Sequence, residues 1–388
     1  MAAWSRLSAA VPALALAALA ALLAPPFALA QADDTPELVR SDFADRRWTP
    51  VTAADAGLSG AGLATDPASS AYANPALWLT AGWSFRISGG VMNPDRNDLR
   101  GSTTDFQEAN GFPLLSEAAI RFKSKGLGFG AYFAQPHYEH GETRFVGFDP
   151  ETGEGDPFPR TNTFTSATRL AGAGAAMRLK GGVVLGAGVE GVFTEEKYLS
   201  VPDVPAGSGI ADTSEVDVDD SSVGGVLGVL VPIGSTWNVA GSYRFAGDLE
   251  YGDNGTGYDD APTLGLLGVR YGRTAGSAGY AGLRWLAERA VNLGVPAAPS
   301  DVTAESRIEY ALGYAYLDPA SGWALRIGGA LSPAPNEESN RLTRFGVSLG
   351  LGGDGLRGSI AYSRESETRP DDRNSSRNLV LATVELGN

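Results

Sequence analysis

A period-two pattern of side chains, repeated from residue 82 almost to the end of the chain, constrains this sequence more than any other feature. In Trp237–Phe245 one face carries Trp237, Val239, Gly241, Tyr243 and Phe245, and the other carries Asn238, Ala240, Ser242 and Arg244. Ile308, Tyr310, Leu312, Tyr314 and Tyr316 likewise oppose Glu309, Ala311, Gly313 and Ala315. Successive side chains of a strand point to opposite sides, so this pattern means strands with an apolar face and a small or charged face. Fourteen segments read this way, near 82–93, 116–124, 126–138, 162–179, 182–199, 220–232, 236–248, 262–273, 277–288, 305–317, 322–332, 340–351, 355–365 and 376–387. Short turns at Lys125-Gly126, Lys180-Gly181, Gly234-Ser235, Thr274–Gly276, Asp318–Ser321 and Gly352–Asp354 alternate with long connections near 94–115, 139–161, 200–219, 249–261, 289–304, 333–339 and 366–375. An even strand number with that loop asymmetry predicts an all-β fold, a 14-stranded antiparallel transmembrane β-barrel. A soluble sandwich or propeller has no reason to alternate its loop lengths so regularly.

Composition removes the competing classes. No segment after residue 30 approaches the 18 consecutive apolar residues of a spanning helix. There is no cysteine, hence no disulfide framework or thiolate metal site. A formal net charge of −15 repels phosphate backbones and argues against nucleic acid as a partner. Residues 1–30 read as a Sec signal peptide: Arg6, an apolar run over Val11–Ala24, and Ala28-Leu29-Ala30 as the cleavage signal. That places the remaining chain outside the cytoplasm, and the barrel in the outer membrane of a Gram-negative-type bacterium. Trp83, Trp237, Tyr280, Trp285, Tyr310, Trp323 and Tyr362 sit toward strand ends, as interfacial girdles require.

Residues 31–80 do not read as strands and are expected to form a periplasmic tail or a plug, with the barrel proper over 81–388. A 14-stranded barrel encloses more space than its own side chains fill, so a plug is physically reasonable. The run from Gly60 through Asp66-Pro67 to Asn74-Pro75-Ala76 resembles the N-terminal hatch of the FadL/TodX family of outer-membrane transporters. The resemblance implies a lumenal hatch ahead of a 14-stranded barrel, with passive movement of long-chain fatty acids or hydrocarbons. It also implies a rearrangement around Asn74, Pro75 and Ala76 as the gate, and no cofactor. The chain departs from the family in ending Thr-Val-Glu-Leu-Gly-Asn388 rather than on an aromatic, and the Asn-Pro-Ala run is shared with adaptor-type barrels of a secretion system.

Candidate site residues follow from alternation. Arg86, Arg121, Arg244, Arg326, Arg344 and Arg357 are expected to face the lumen, because charge on the lipid face costs ~2–4 kcal/mol at the midplane. They either pair with lumen carboxylates such as Glu309 and with the plug, or one or two receive the carboxylate of an amphipathic substrate. Pro136 in the third strand removes a ladder hydrogen bond and marks a kink in the wall or the strand's end. In the resembling family a kink there opens a lateral route into the bilayer. Phe106, Phe112, Phe145, Phe148 and Phe158 are assigned to outer loops as a capture surface or as loop packing.

His137 and His140 are the only histidines, too few for a catalytic set and read as rim residues rather than metal ligands. Gly224-Gly225 and Gly328-Gly329 are read as close strand packing and bending of the wall. The acidic runs Glu215–Asp220 and Asp259-Asp260 fall in or beside outer loops, solvated or bridging lipopolysaccharide through divalent ions. The expected function is passive uptake of a hydrophobic or amphipathic small molecule, with membrane lipid and lipopolysaccharide as surroundings. The rivals are a general diffusion porin and an adaptor barrel that binds a protein partner. An enzyme is not expected.

Overall fold

The computed structural model describes residues 50–387, apart from 81, 96–103, 106–112, 149–154, 203–213, 248, 252–256, 260–262, 273–275, 293–301, 305, 319, 335–340, 354 and 369–373. The expected signal peptide therefore lies outside the described residues, as do Phe106, Phe112 and Asp260.

Fourteen strands close into an antiparallel barrel. In chain order they are β1 (Ser84–Asp95), β2 (Pro113–Ser124), β3 (Leu127–Phe148), β4 (Gly155–Arg178), β5 (Val184–Pro202), β6 (Ser214–Ile233) and β7 (Trp237–Ala246). The second half comprises β8 (Leu264–Gly272), β9 (Gly276–Leu286), β10 (Arg307–Leu317), β11 (Ala324–Ser332), β12 (Arg341–Gly353), β13 (Gly355–Thr368) and β14 (Asn374–Gly387). Each pairs with its chain neighbours, and β1 with β14 closes the ring in register from Ser84 opposite Gly387 to Asp95 opposite Ser376. The β2–β3 turn is held by left-handed residues at both centres, Lys125 (φ 46°) and Gly126 (φ 84°), the conformation that tight hairpins of this twist demand.

The two faces behave as the alternation requires. Phe85, Ile87, Ile120, Phe122, Leu185, Val189, Leu267, Tyr310, Leu312, Leu349 and Ile360 are exposed on the outside, whereas Arg86, Ser88, Arg121, Glu190, Arg270, Glu309 and Arg344 are buried within. So large an apolar belt on a folded surface is stable only against lipid. Among the described residues no helix is long and apolar enough to cross a membrane; the strands make the crossing.

Three assignments change. Tyr280 is buried, with the Arg270 guanidinium 5.9 Å from its ring centre, so it faces the lumen rather than an interfacial girdle. Residues 139–148 and 155–161, expected as loop, continue β3 and β4, placing Phe145, Phe148 and Phe158 on strands. The β-branched run Thr161, Thr163 and Thr165 suits extended backbone despite its polarity. The acidic run Glu215–Asp220 lies on β6, where Asp217 pairs with Lys197 of β5 at 3.3 Å. Beyond the barrel, residues 249–251, 257–259, 289–292 and 302–304 form a separate four-stranded sheet.

Residues 50–80 run inside the ring. Helix α1 (Ala53–Gly57) is capped by the Thr52 side chain, and a 3-10 turn over Pro75–Leu79 by Asn74. Nearly every side chain from Val51 to Leu79 is buried.

Candidate functional site

The hatch is held by the wall through two kinds of residue, paired charges and glycines. On the β1–β8 side, arginines reach in and donate to successive hatch carbonyls. Arg121 donates to Pro67 O at 3.0 Å, Arg86 to Ala68 O (3.0 Å) and Ser69 O (2.8 Å), and Arg244 to Tyr72 O at 2.6 Å. Each also meets a glutamate: Arg86 with Glu117 at 2.7 Å, Arg121 with Glu385 at 2.8 Å, Arg244 with Glu190 at 2.5 Å. Glu117 then accepts from Ala71 N at 2.6 Å, and Ser242 donates to Ala73 O at 2.6 Å. The hatch segment 67–73 has no ladder of its own, so these wall groups satisfy backbone that burial would otherwise leave unpaired. Asn74 is fully buried: its amide donates to Ala64 O at 3.0 Å while its carbonyl oxygen caps Ala76 N at 3.0 Å.

Glycine supplies the close approaches. A Cβ added at Gly346 would lie 1.7 Å from Ala56 O, at Gly328 2.3 Å from the Leu58 backbone, and at Gly228 2.1 Å from Asn74 Oδ1. At Gly186 it would meet Ala76 N at 2.5 Å, and at Gly130 the Trp78 ring at 2.7 Å. These inward positions on β3, β5, β6, β11 and β12 are a seat cut to the hatch's shape. Gly328, expected to serve strand packing, instead admits the hatch backbone.

Among the described residues, the wall is interrupted at one place beside the hatch. β3 pairs with β2 from Ser124–Leu127 up to Glu117–Ala134, and among the described residues no ladder joins Pro113–Ser116 to β3 beyond that. Both neighbours carry an extra residue there. β2 bulges at Ser116, between Glu117 opposite Ser88 and Leu115 opposite Gly89. β3 bulges over Gln135-Pro136, between Ala134 opposite Leu170 and His137 opposite Thr168. A bulge bends its strand and proline withholds a ladder donor, so the two strands part. Pro136 does not end β3, which runs on to Phe148. The hatch reaches this break: Ser116 Oγ donates to Val51 O at 2.7 Å. Inside, Met92, Leu379, Leu381 and Ala361 form an apolar cluster with Ala53 and Ala56 of the hatch, and Tyr138 packs against it.

Arg344 is held by Glu365 at 2.5 Å and Glu309 at 3.3 Å, and Glu309 also receives Arg284 at 2.7 Å. Thus Arg86, Arg121, Arg244 and Arg344 are engaged with glutamates. Arg326 and Arg357 differ: both line a cavity of about 470 Å³ between the hatch and the short-turn ends of β10–β14. The glutamate partners Glu117, Glu190, Glu365 and Glu385 were not singled out from sequence, although alternation with outward neighbours such as Val189 and Val384 marks them as inward. His137 is buried at the β3 bulge. Among the described residues no three His, Asp or Glu side chains gather as a metal site.

This arrangement was compared with known proteins. A Pseudomonas aeruginosa FadL homologue aligns with a TM-score of 0.62 at 14% identity, over 89% of this chain and 100% of that one. The chain has the fold of that barrel. The Ralstonia pickettii toluene transporter TbuX gives 0.59 at 15% identity, over 89% and 99%, and the CymD monoaromatic hydrocarbon channel 0.58 at 14%, over 87% and 98%. No protein-family model and no curated protein matches the sequence.

Proposed function

We propose that this chain is a passive outer-membrane transporter of hydrophobic or amphipathic small molecules, long-chain fatty acids or hydrocarbons, with the N-terminal hatch as its gate. The observation that carries the reading is the interrupted wall at Gln135-Pro136, at the level where the hatch fills the lumen. A hydrophobic molecule inside would leave through that break from one apolar surrounding to another, without crossing water. The apolar cluster of Met92, Leu379 and Leu381 behind it is a fitting resting surface. Ser116, at the edge of the break, is bonded to Val51, so hatch and wall opening would move together.

The solved barrels of like fold include one that carries toluene and one that carries monoaromatic hydrocarbons, in agreement with that chemistry. A general diffusion porin needs a water-filled bore, which residues 50–80 occupy. An adaptor barrel would instead hold a protein that co-purifies with it. Neither rival has use for a broken wall, and no enzymatic role is proposed.

The test is uptake of labelled oleate and toluene by cells lacking their own fatty-acid transporter. Three proteins are compared at equal outer-membrane levels: the wild type, a variant with Pro136 deleted to restore the β2–β3 register, and Asn74→Ala/Pro75→Ala. Uptake by the wild type that falls about tenfold or more in the register variant supports the reading, since closing the break removes the exit. Undiminished uptake in that variant rejects the lateral exit. No uptake of either probe by the inserted wild type rejects the transporter.

A further inference from the structure

Cations are distributed unevenly around the short-turn end. Three of the four lysines in the sequence, Lys123, Lys125 and Lys180, stand with Arg178 on two short turns, in a chain of formal net charge −15. The turns join β2 to β3 and β4 to β5, and Arg178 N donates to Gly126 O at 3.1 Å, so the four cations form one patch. All four are exposed, and none forms an ion pair among the described residues. Of the other short turns, Gly234-Ser235 is uncharged and that of β10–β11 carries Asp318. Lys125 is left-handed (φ 46°) where hairpin chemistry favours asparagine or glycine, so the turn itself does not account for a lysine there. The patch sits where the apolar belt ends. Phe122, Leu127, Met177, Leu179 and Leu185 are exposed beside it, and Leu179 shares its turn with Lys180. Lipid therefore reaches the turns themselves, which places the cations at headgroup depth. Alternation with Phe122 and Met177 puts Lys123 and Arg178 on the lumen side of the rim, while Lys125 and Lys180 occupy the turn tips.

We propose that this patch binds an anionic phospholipid of the leaflet on the short-turn side, with Lys125 and Lys180 meeting its phosphodiester and Lys123 and Arg178 adding to the positive potential. The inference goes beyond the transporter reading and does not depend on it. A phosphate in the headgroup layer lies in a lower dielectric than bulk water, so an ammonium beside it gains more there than on a soluble surface. Lysine suits this depth, because its stem can lie along acyl chains while the ammonium reaches the phosphate. The chain as a whole is acidic and repels anionic lipid, so the patch fixes which part of the wall such a lipid meets. An acidic protein is the other partner that charge alone would admit. The exposed apolar side chains set among the cations fit a bilayer and not a soluble surface.

The test is native mass spectrometry of the purified full chain, titrated with phosphatidylglycerol and with phosphatidylcholine of identical acyl chains. The expected result is binding of phosphatidylglycerol tighter by about tenfold or more, with a preference that falls as salt is raised. Lys125→Asn/Lys180→Gln should remove most of that preference, and Lys123→Gln/Arg178→Gln a smaller part. Lys197→Gln, at the other end of β5 where Lys197 pairs with Glu195 and Asp217, should leave it unchanged. Asparagine suits the φ of Lys125, so the first variant should fold, and heat-modifiable gel mobility checks each barrel. A wild type that binds both lipids equally overturns the site, as does a preference that survives both double variants. Binding of poly-glutamate by the wild type in neutral nanodiscs, with no preference for phosphatidylglycerol, gives the patch to an acidic protein and overturns the lipid site. If neither double variant folds, labelling of the wild type with a diazirine phosphatidylglycerol decides. Adducts within residues 122–127 and 177–185 support the site, and adducts confined elsewhere overturn it.

Discussion

Asp55 sits fully buried in the first turn of α1, with Ser70 N donating to its two oxygens at 3.4 and 3.3 Å and the Thr52 hydroxyl capping its amide. Burial, then the neighbouring charge of Glu117, pushes its carboxyl up to about 6, against the 3.8 of an exposed aspartate, in spite of Arg86 and the Ser69 hydroxyl. A carboxyl whose folded value is raised favours the folded form when protonated. Its contribution is therefore complete below about pH 4 and is lost as pH rises through about 6, some 3 kcal/mol in all. Hydrogen exchange of residues 51–72, corrected for intrinsic rates, should show greater protection at pH 5 than at pH 8. Asp55→Asn should hold the pH 5 protection at pH 8; an unchanged pH dependence in that variant would assign the effect elsewhere. The wall arginines work differently. Arg86, Arg121 and Arg244 are each buried with a glutamate and at least one hatch carbonyl, so what they contribute is less net stability than a single permitted seating of the hatch.

At the scale of elements, the glycine seat requires that added bulk be felt by the hatch and not by the barrel. Gly346→Val should push the Ala56 carbonyl away, because both partners are backbone and neither has a rotamer to yield, at a cost of about 1–3 kcal/mol. The control is Gly279→Val on β9, where an added Cβ meets nothing within 4 Å. Protease added from the short-turn end should cut within residues 50–80 of Gly346→Val and spare the control; equal resistance would mean that the seat has slack.

This distinction was not legible in sequence. Alternation gave the strand number, the turns and the inward direction of Arg86, Arg244 and Arg344, because a side-chain period of two is a local property. Whether an inward glycine serves a bend or a backbone passing close by depends on a segment hundreds of residues away, as Gly346 and Ala56 show. For the same reason Tyr280 was assigned by its place along the strand and not by its face. The bulge at Gln135-Pro136 was half visible: proline announced an irregularity, but only the ladder to Thr168 shows that β3 continues past it.

For the whole molecule, the question is what a barrel gains from a lumen that is both wide and filled. Fourteen strands enclose a bore that side chains alone would leave wet, and here the hatch occupies it with fully buried residues such as Leu58, Asn74 and Trp78. Ions and polar solutes then face a barrier of packed backbone, while a hydrophobic molecule meets an apolar cluster and a broken wall. On the proposed reading, selectivity would come from closing the axial route, not from a charged constriction. Planar-bilayer recordings follow directly. The intact chain should show no steady conductance, and a variant lacking residues 51–79 should open large, weakly selective pores if its strands still close. The buried arginines, left without hatch carbonyls, would then face water beside their glutamates, so the deletion should also raise the salt dependence of barrel stability. A steady ionic current through the intact protein would mean that water already passes the hatch, and the case for hydrophobic cargo would yield to that of a diffusion pore.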